Sequence, residues 1–522
     1  MGDSDWKKVV EEKEIEDGVL RTFTLGKRHI LLIRIGGKIY ASGARCPHHG
    51  APLEEGIIID DTLTCPWHTA AFNVTNGRMI LPPALDDLSR YLVKVEDKTV
   101  YVKKAEAEQE PVEVKTDKGT FVIIGSGAAG SAAALTLRKE GFDGRVVLVT
   151  EDTDLPYDRT VLSKEFLSGN MARESLLLKD EGVYKDLKIE IFSDYKVMDV
   201  DIVRKRLFFV NSQTMHYDKL LIATGGIPRT PNIYGVELPN FFLLRSSKDA
   251  TAIVSALKST DRVVIIGAGF IGLETAASLR SRNLEVHVID SEGIPLARVF
   301  GEEIGGMIKG LHEKNGVQFH LGVTPEEILG DSNIREVLLS NESRVSAEVV
   351  IAGIGIIPAV YFLEGTGLVE NNAVPVDERF KTKNDDVYAA GDIALVPDWV
   401  TGKKRRTEHW AEAQRQGQHA ARAMLGFRGE YREIPFFWTK QYDRVIRYIG
   451  HTESVDQAVL RGDVNGDFMA GYFKGRSLQA VAAVGNVENL IVIEEILKRG
   501  IRIPPAKFLD EGFDFRSLLA KR

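Results

Sequence analysis

The feature that most constrains this chain is an internal near-repeat, "TFVIIGSGAAGSAAALTLRKEG" at 120–141 and "RVVIIGAGFIGLETAASLRSRN" at 262–283. Each copy runs from an apolar strand through a Gly-rich turn into an Ala-rich helix. One G-x-G-x-x-G is a weak signal, because glycine turns are common. Two copies, each between strand and helix and each followed about twenty residues on by an acid, point to two βαβ units that bring backbone close to a dinucleotide pyrophosphate at a helix N-terminus. The first unit has Gly125, Gly127 and Gly130, with Glu151 placed for a ribose; the second has Gly267, Gly269 and Gly272, with Asp290. Asp290 would repel a 2′-phosphate, so NADH is expected over NADPH. Arg298 lies near enough in sequence to keep NADPH open, its alternative being a surface ion pair.

The cysteines constrain the rest. The 522 residues contain only two, Cys46 and Cys65, in the loops "CPHHGAPL" and "CPWHTAAF". That usage excludes a disulfide framework and favours metal or redox chemistry. The candidate ligands are Cys46, His48, Cys65 and His68. Tetrahedral zinc is one reading, but zinc fingers usually pair Cys with Cys and His with His. One of each per loop suits a [2Fe–2S] centre with two cysteines on one iron and two histidines on the other. His49 reads as a solvent-facing neighbour.

Around these loops, "HILLIRI", Gly36-Gly37, "KIYASG", "YLVKV" and "TVYVKK" read as strands and hairpins, so residues 1–103 form an all-β domain. A charged stretch at 104–118 reads as a linker, and 431–522 as an α+β module. The whole is multidomain: all-β, then α/β with two dinucleotide-binding units, then α+β. A net charge of −8 and a basic run confined to "KKRR" argue against a nucleic-acid partner. No apolar run approaches the roughly 18 residues of a membrane span, and no leader pattern opens the chain, which makes cytoplasm the default expectation.

The two Cys–His loops, following hairpins, resemble the Rieske family. Ala70 and Phe72 stand where high-potential members carry Ser and Tyr donating to sulfur, which implies a low-potential, ferredoxin-like centre. From about 120 onward, "LPYDRTVLSKEF", "LLIATGG" and "VYAAGDIAL" resemble the ferredoxin reductases and apoptosis-inducing-factor flavoproteins. With "GAGFIGLE" and "IPFFWT", the whole arrangement resembles the Rieske-containing members of that group. The resemblance implies FAD in the first fold, at 119–246 and 376–430, and NAD(P)H in the second, inserted at 247–375. It implies Ala129, Arg159, Val197, Arg245 and Asp392 at the FAD. Lys164 would lie beside the flavin ring and Glu274 would face it from the nicotinamide side, as a catalytic pair; the alternative is an exposed pair on helix ends. Gly353 and Gly355 would lie near NAD. Glu408, His409, Trp410 and Trp438 would flank flavin or nicotinamide, the alternative for the aromatics being plain core.

With both cysteines assigned to the cluster, no redox-active cysteine pair or single reactive cysteine is left to take electrons from reduced flavin. NADH gives two electrons at once, a [2Fe–2S] cluster takes one, and FAD handles both, so the order NADH, FAD, cluster follows. The expected function is an NADH-dependent flavin and iron–sulfur oxidoreductase. Its acceptor is left open among a haem protein, an oxygenase, ferric iron, a quinone and oxygen. The alternatives are an NADH-sensing signalling protein with conformational or dimerisation output, and a docking module with zinc or no metal.

Overall fold

A computed structural model describes residues 5–105, 118–452 and 455–519. Most of the expected linker, 106–117, lies outside the described residues.

The N-terminal region holds two antiparallel sheets. The first runs in the order Lys7–Glu11, Thr99–Lys104, Arg90–Glu96, Lys38–Gly43, Arg28–Ile35, Arg21–Leu25. Its central hairpin turns on Gly36 and Gly37, both at positive φ that glycine adopts without penalty. The second comprises Ile57–Ile59, Thr62–Thr64, Ala71–Asn73 and Met79–Leu81. The Cys46 loop follows the strand Lys38–Gly43, the Cys65 loop follows Thr62–Thr64, and both cysteines are buried with Leu53, Leu63, Ala70 and Phe72.

Two parallel five-stranded sheets follow, and their central strands are largely apolar because helices or further sheets cover both faces. The first sheet orders Ile189–Phe192, Arg145–Val149, Thr120–Ile124, Lys219–Ile222, Val387–Ala389. The second orders Phe241–Leu243, Val349–Ala352, Arg262–Ile266, Glu285–Asp290, Val317–Leu321. Two details differ from the division by sequence. Phe241–Leu243, placed there with the first dinucleotide domain, is the edge strand of the second sheet. Val360, Phe362, Leu363 and Val374, placed with the second, pack in the core of the first. Both segments are short apolar runs beside a crossover, and such runs carry no signal of which sheet they join.

The helix Trp410–Met424 crosses Ala128–Lys139, the helix of the first glycine turn. Gly417 permits the crossing, since a Cβ there would lie 2.0 Å from the Ala129 carbonyl oxygen. The C-terminal sheet orders Phe436–Gln441, Arg444–Gly450, Ser477–Val484, Phe468–Lys474, Gln457–Gly462 and packs with the helix Val487–Lys498 over Phe436, Phe473, Phe508 and Phe515. Among the described residues no helix is long and apolar enough to cross a membrane.

Candidate functional site

The two glycine turns are built alike. Gly125 and Gly267 take φ of 104° and 106°, and each donates its N–H to the carbonyl at the end of the neighbouring strand, Val149 and Ile289. A Cβ on Gly130 or Gly272 would fall 1.8 or 1.9 Å from the carbonyl oxygen of Gly125 or Gly267, so strand and helix can approach only through glycine. The middle glycines, Gly127 and Gly269, face open space within 4 Å. That space, at a helix N-terminus, is where a pyrophosphate fits.

The acids differ between the folds. Matching backbone bonds make Thr150, not Glu151, the counterpart of Asp290. Thr150 Oγ1 accepts from Ser126 Oγ, and Asp290 accepts from the Ala268 and Glu292 N–H groups. Glu151, one residue on, is exposed with Lys196 at 3.6 Å. Arg298 pairs with Glu292 at the surface. Gly353 follows the strand Val349–Ala352 beside the second turn, its carbonyl oxygen 2.6 Å from where a Gly267 Cβ would be, and Gly355 comes next but one at positive φ.

Around the first turn, Arg245 Nη2 donates to Asp392 at 3.1 Å, joining residues far apart in sequence. The Arg159 guanidinium lies 3.7 Å from Asp152 and over the Tyr157 ring. Ala129 and Val197 are buried in the same core. Glu408 is exposed and pairs with Arg406. His409 stacks on Phe437 at 4.2 Å, and burial lowers it to about 4, so it is neutral at physiological pH. The Trp410 indole N–H is buried with no protein partner, as is Arg245 Nε. Orphaned donors of this kind beside a pyrophosphate turn fit an acceptor-rich ligand such as FAD.

Lys164 and Glu274 meet at 2.8 Å, and Glu274 is 4% exposed, so the reading of an exposed pair on helix ends does not apply. Glu274 Oε2 accepts from Ser163 Oγ at 2.6 Å and from Lys164 Nζ; Oε1 accepts from Thr439 Oγ1 at 2.8 Å. Behind Thr439 the buried Gln441 donates its amide to Thr439 Oγ1, and His312 lies 3.0 Å from the Gln441 amide oxygen. The carboxylate is therefore a junction of three regions: the first fold (Ser163, Lys164), the second (Glu274, His312) and the C-terminal sheet (Thr439, Gln441).

The Cys–His loops are docked against the same end of the reductase. Each is closed by the same backbone bonds: Cys46 N–H to Ala51 and Cys65 N–H to Ala70, with returns from Gly50 and Thr69 to the cysteine carbonyls. The interaction between the two buried thiols pulls Cys46 up and Cys65 down. His48 Nδ1 and His68 Nδ1 converge to 3.1 Å, and burial holds both imidazoles neutral, as metal ligation requires. Two thiols and two inward-facing nitrogens are a donor set that fits a Rieske [2Fe–2S] cluster. The outer edges of the histidines meet the reductase. His68 lies against Trp438 with ring centroids 4.1 Å apart, and His48 Nε2 faces the buried Asp158 carboxylate at 3.9 Å. His49 is not simply solvent-facing: its Nε2 lies 3.4 Å from the same carboxylate. Ala70 and Phe72 are buried and bring no hydroxyl to the sulfurs.

Sequence reasoning missed Asp158, Ser163, Thr439, Gln441 and His312. The first two sit inside the quoted "LPYDRTVLSKEF" and Thr439 directly follows Trp438, so proximity to a motif was a usable signal. His312 is a single histidine on an ordinary amphipathic helix and gave none.

A buried Lys–Glu pair between two dinucleotide turns, with no cysteine outside the N-terminal domain, defines an oxidoreductase of the ferredoxin-reductase type rather than a dithiol disulfide reductase. The chain belongs to the pyridine nucleotide-disulphide oxidoreductase family, whose pattern matches residues 119–417, and it carries a Rieske [2Fe-2S] domain at 5–92 and a reductase C-terminal domain at 436–519. It is 34% identical over 510 residues to apoptosis-inducing factor 3 of Homo sapiens, covering 94% of this chain and 84% of that one. It is 32% identical to rhodocoxin reductase of Rhodococcus erythropolis, over 77% of this chain and 95% of that one. Among solved structures it resembles the reductase of the covalent putidaredoxin reductase–putidaredoxin complex, with a TM-score of 0.74 and 29% identity over 77% of this chain and 98% of that one.

Proposed function

We propose that this chain oxidises NADH and passes the electrons through FAD to its own Rieske cluster and on to a one-electron acceptor. The observation that carries this reading is the seating of His68 on Trp438, next in sequence to the Thr439 that holds Glu274. The cluster ligands and the Lys164–Glu274 pair thus share one end of the reductase.

Bound FAD supplies the exchange between hydride and single-electron chemistry, and the cluster carries one electron at a time. The chain's residues do the rest. The N-terminus of helix Ala128–Lys139 would hold the FAD pyrophosphate, and Arg159 and the Arg245–Asp392 pair would contribute to holding the FAD. Lys164 places positive charge at the flavin, and Glu274, held on both oxygens, positions the nicotinamide. Asp290 sets the preference for NADH, and Arg298, spent on Glu292, does not oppose it. Asp158 faces the outer nitrogen of His48 and stabilises its ring orientation. With Ala70 and Phe72 at positions that bring no hydroxyl to the sulfurs, the cluster potential falls toward the low end of the Rieske range, about −150 mV.

The test is an anaerobic NADH titration of the holoprotein followed by visible absorbance and low-temperature electron paramagnetic resonance. A Rieske signal rising as the flavin bleaches is expected. Flavin bleaching beside a silent, iron-loaded cluster would instead favour the NADH-sensing alternative.

A further inference from the structure

The two cluster loops share backbone geometry but not sequence at one position. Four residues after its cysteine, the first loop has Gly50 at φ 74°; the second has Thr69 at φ 57°. A β-branched residue is strained in the left-handed region, where glycine is not. The Thr69 side chain is turned away from solvent, 2% exposed, and its Oγ1 accepts from Arg415 Nη2 at 2.8 Å. Arg415 belongs to the helix Trp410–Met424 of the reductase and is 1% exposed. It also donates to the Ile434 carbonyl at 3.1 Å and pairs with Glu494 at 3.3 Å.

Elsewhere the Rieske domain meets the reductase through His68 on Trp438, His48 and His49 beside Asp158, the Trp67 carbonyl accepting from Arg447 Nε at 3.0 Å, and Ile57 buried in the C-terminal core. Arg78–Glu140, Lys139–Asp87, Lys179–Asp86 and Arg499–Asp60 are ion pairs with at least one exposed partner, each worth little and screened by salt. Beside Thr69 and Arg415 the interface leaves a cleft of about 140 Å³ lined by Ile59, Thr62, Leu81, Ile491, Glu433 and Lys498 among others, so packing there is incomplete. Separating the domains would give up a hydrogen bond between a buried guanidinium and a buried hydroxyl, which salt screens less than it does the exposed pairs.

We propose that Thr69 and Arg415 form the latch that fixes the Rieske domain in its electron-receiving position, with Thr69 acting as a positioning residue one position after the ligand His68. The strained threonine is retained where glycine would fit because its hydroxyl is the acceptor that only the docked reductase fills. No bond is made or broken in the step it serves: one electron leaves the flavin and one reduces the cluster. The inference rests on that proposed electron route, but the latch itself can be read without electrons.

The experiment compares full-length, cofactor-loaded wild type, Thr69→Gly, Thr69→Ser and Arg415→Gln. Hydrogen–deuterium exchange over 62–81 reports docking, and freeze-quench electron paramagnetic resonance after mixing with NADH reports cluster reduction. Iron content and the dithionite-reduced spectrum check the cluster. Thr69→Gly is expected to raise exchange at the interface, slow cluster reduction about tenfold or more and steepen its salt dependence, while Thr69→Ser stays within about twofold of wild type. If Thr69→Gly damages the cluster, Arg415→Gln carries the same expectation from the reductase side. Wild-type exchange in both Thr69→Gly and Arg415→Gln overturns the latch. Raised exchange in these variants, with a wild-type cluster that NADH never reduces, supports the latch and overturns the electron route alone.

Discussion

Replacing Thr439 by valine removes one hydroxyl from the Glu274 junction while keeping the shape of the side chain. The lost bond is 2.8 Å long and ends on a carboxylate that is 4% exposed. A hydrogen bond to a buried charged group contributes about 1.5–3 kcal/mol. With one decade of rate for each 1.36 kcal/mol, full loss of that contribution at the transition state slows hydride transfer by roughly 10- to 150-fold. The substitution also strips the Gln441 amide of its acceptor, loosening the His312 end of the chain. Stopped-flow bleaching of the flavin at a series of NADH concentrations separates affinity from the limiting rate. The limiting rate is expected to fall by at least tenfold, and Thr439→Ser, which restores the donor, is expected to recover most of it. A Thr439→Val enzyme with wild-type affinity and limiting rate would refute the view that Glu274 is held by this relay.

Three further outcomes follow from the same structure. Gly417→Ala puts a methyl group 2.0 Å from the Ala129 carbonyl oxygen, forces the two helices apart and lowers FAD occupancy, read as flavin per protein after purification; full occupancy would contradict the crossing. Trp438→Leu removes the ring lying against His68 and slows NADH-driven reduction of the cluster, measured by freeze-quench electron paramagnetic resonance; an unchanged rate would remove Trp438 from the electron route. His312, packed among Gln441, Tyr442 and Phe319, is lowered by burial to about 4. An unfolded imidazole titrates near 6.5, so between these values the unfolded chain binds the extra proton and stability falls as pH falls, by up to about 3 kcal/mol from this group. His312→Gln is therefore expected to lose less stability than wild type between pH 7 and pH 5, as the denaturant midpoint reports; an equal loss would show that the group does not titrate in this window.

Motifs that act through local backbone were legible in the sequence. Gly125 and Gly267, the Cys–His loops and the hairpin at Gly36-Gly37 each encode their geometry within a few residues. The Lys164–Glu274 pair was reachable only through resemblance, since its partners are more than a hundred residues apart. Thr439 and His312 were hidden for the same reason: their roles arise where three regions meet. The membership of Phe241–Leu243 and Val360 was misassigned because short apolar strands look alike in either sheet. His49 looked like a solvent-facing residue because nothing local announces Asp158, which another domain brings to it.

The docked loops also govern what the cluster can meet. Both ligand histidines turn their outer edges into the body of the same molecule, toward Trp438 and Asp158. Loading through that edge and unloading through it are events that exclude one another in time. Under the proposed electron route such a protein would work as an airlock: with the inner door shut on the reductase, a foreign acceptor would have no access by that side, and throughput would be set by how often the domain lets go.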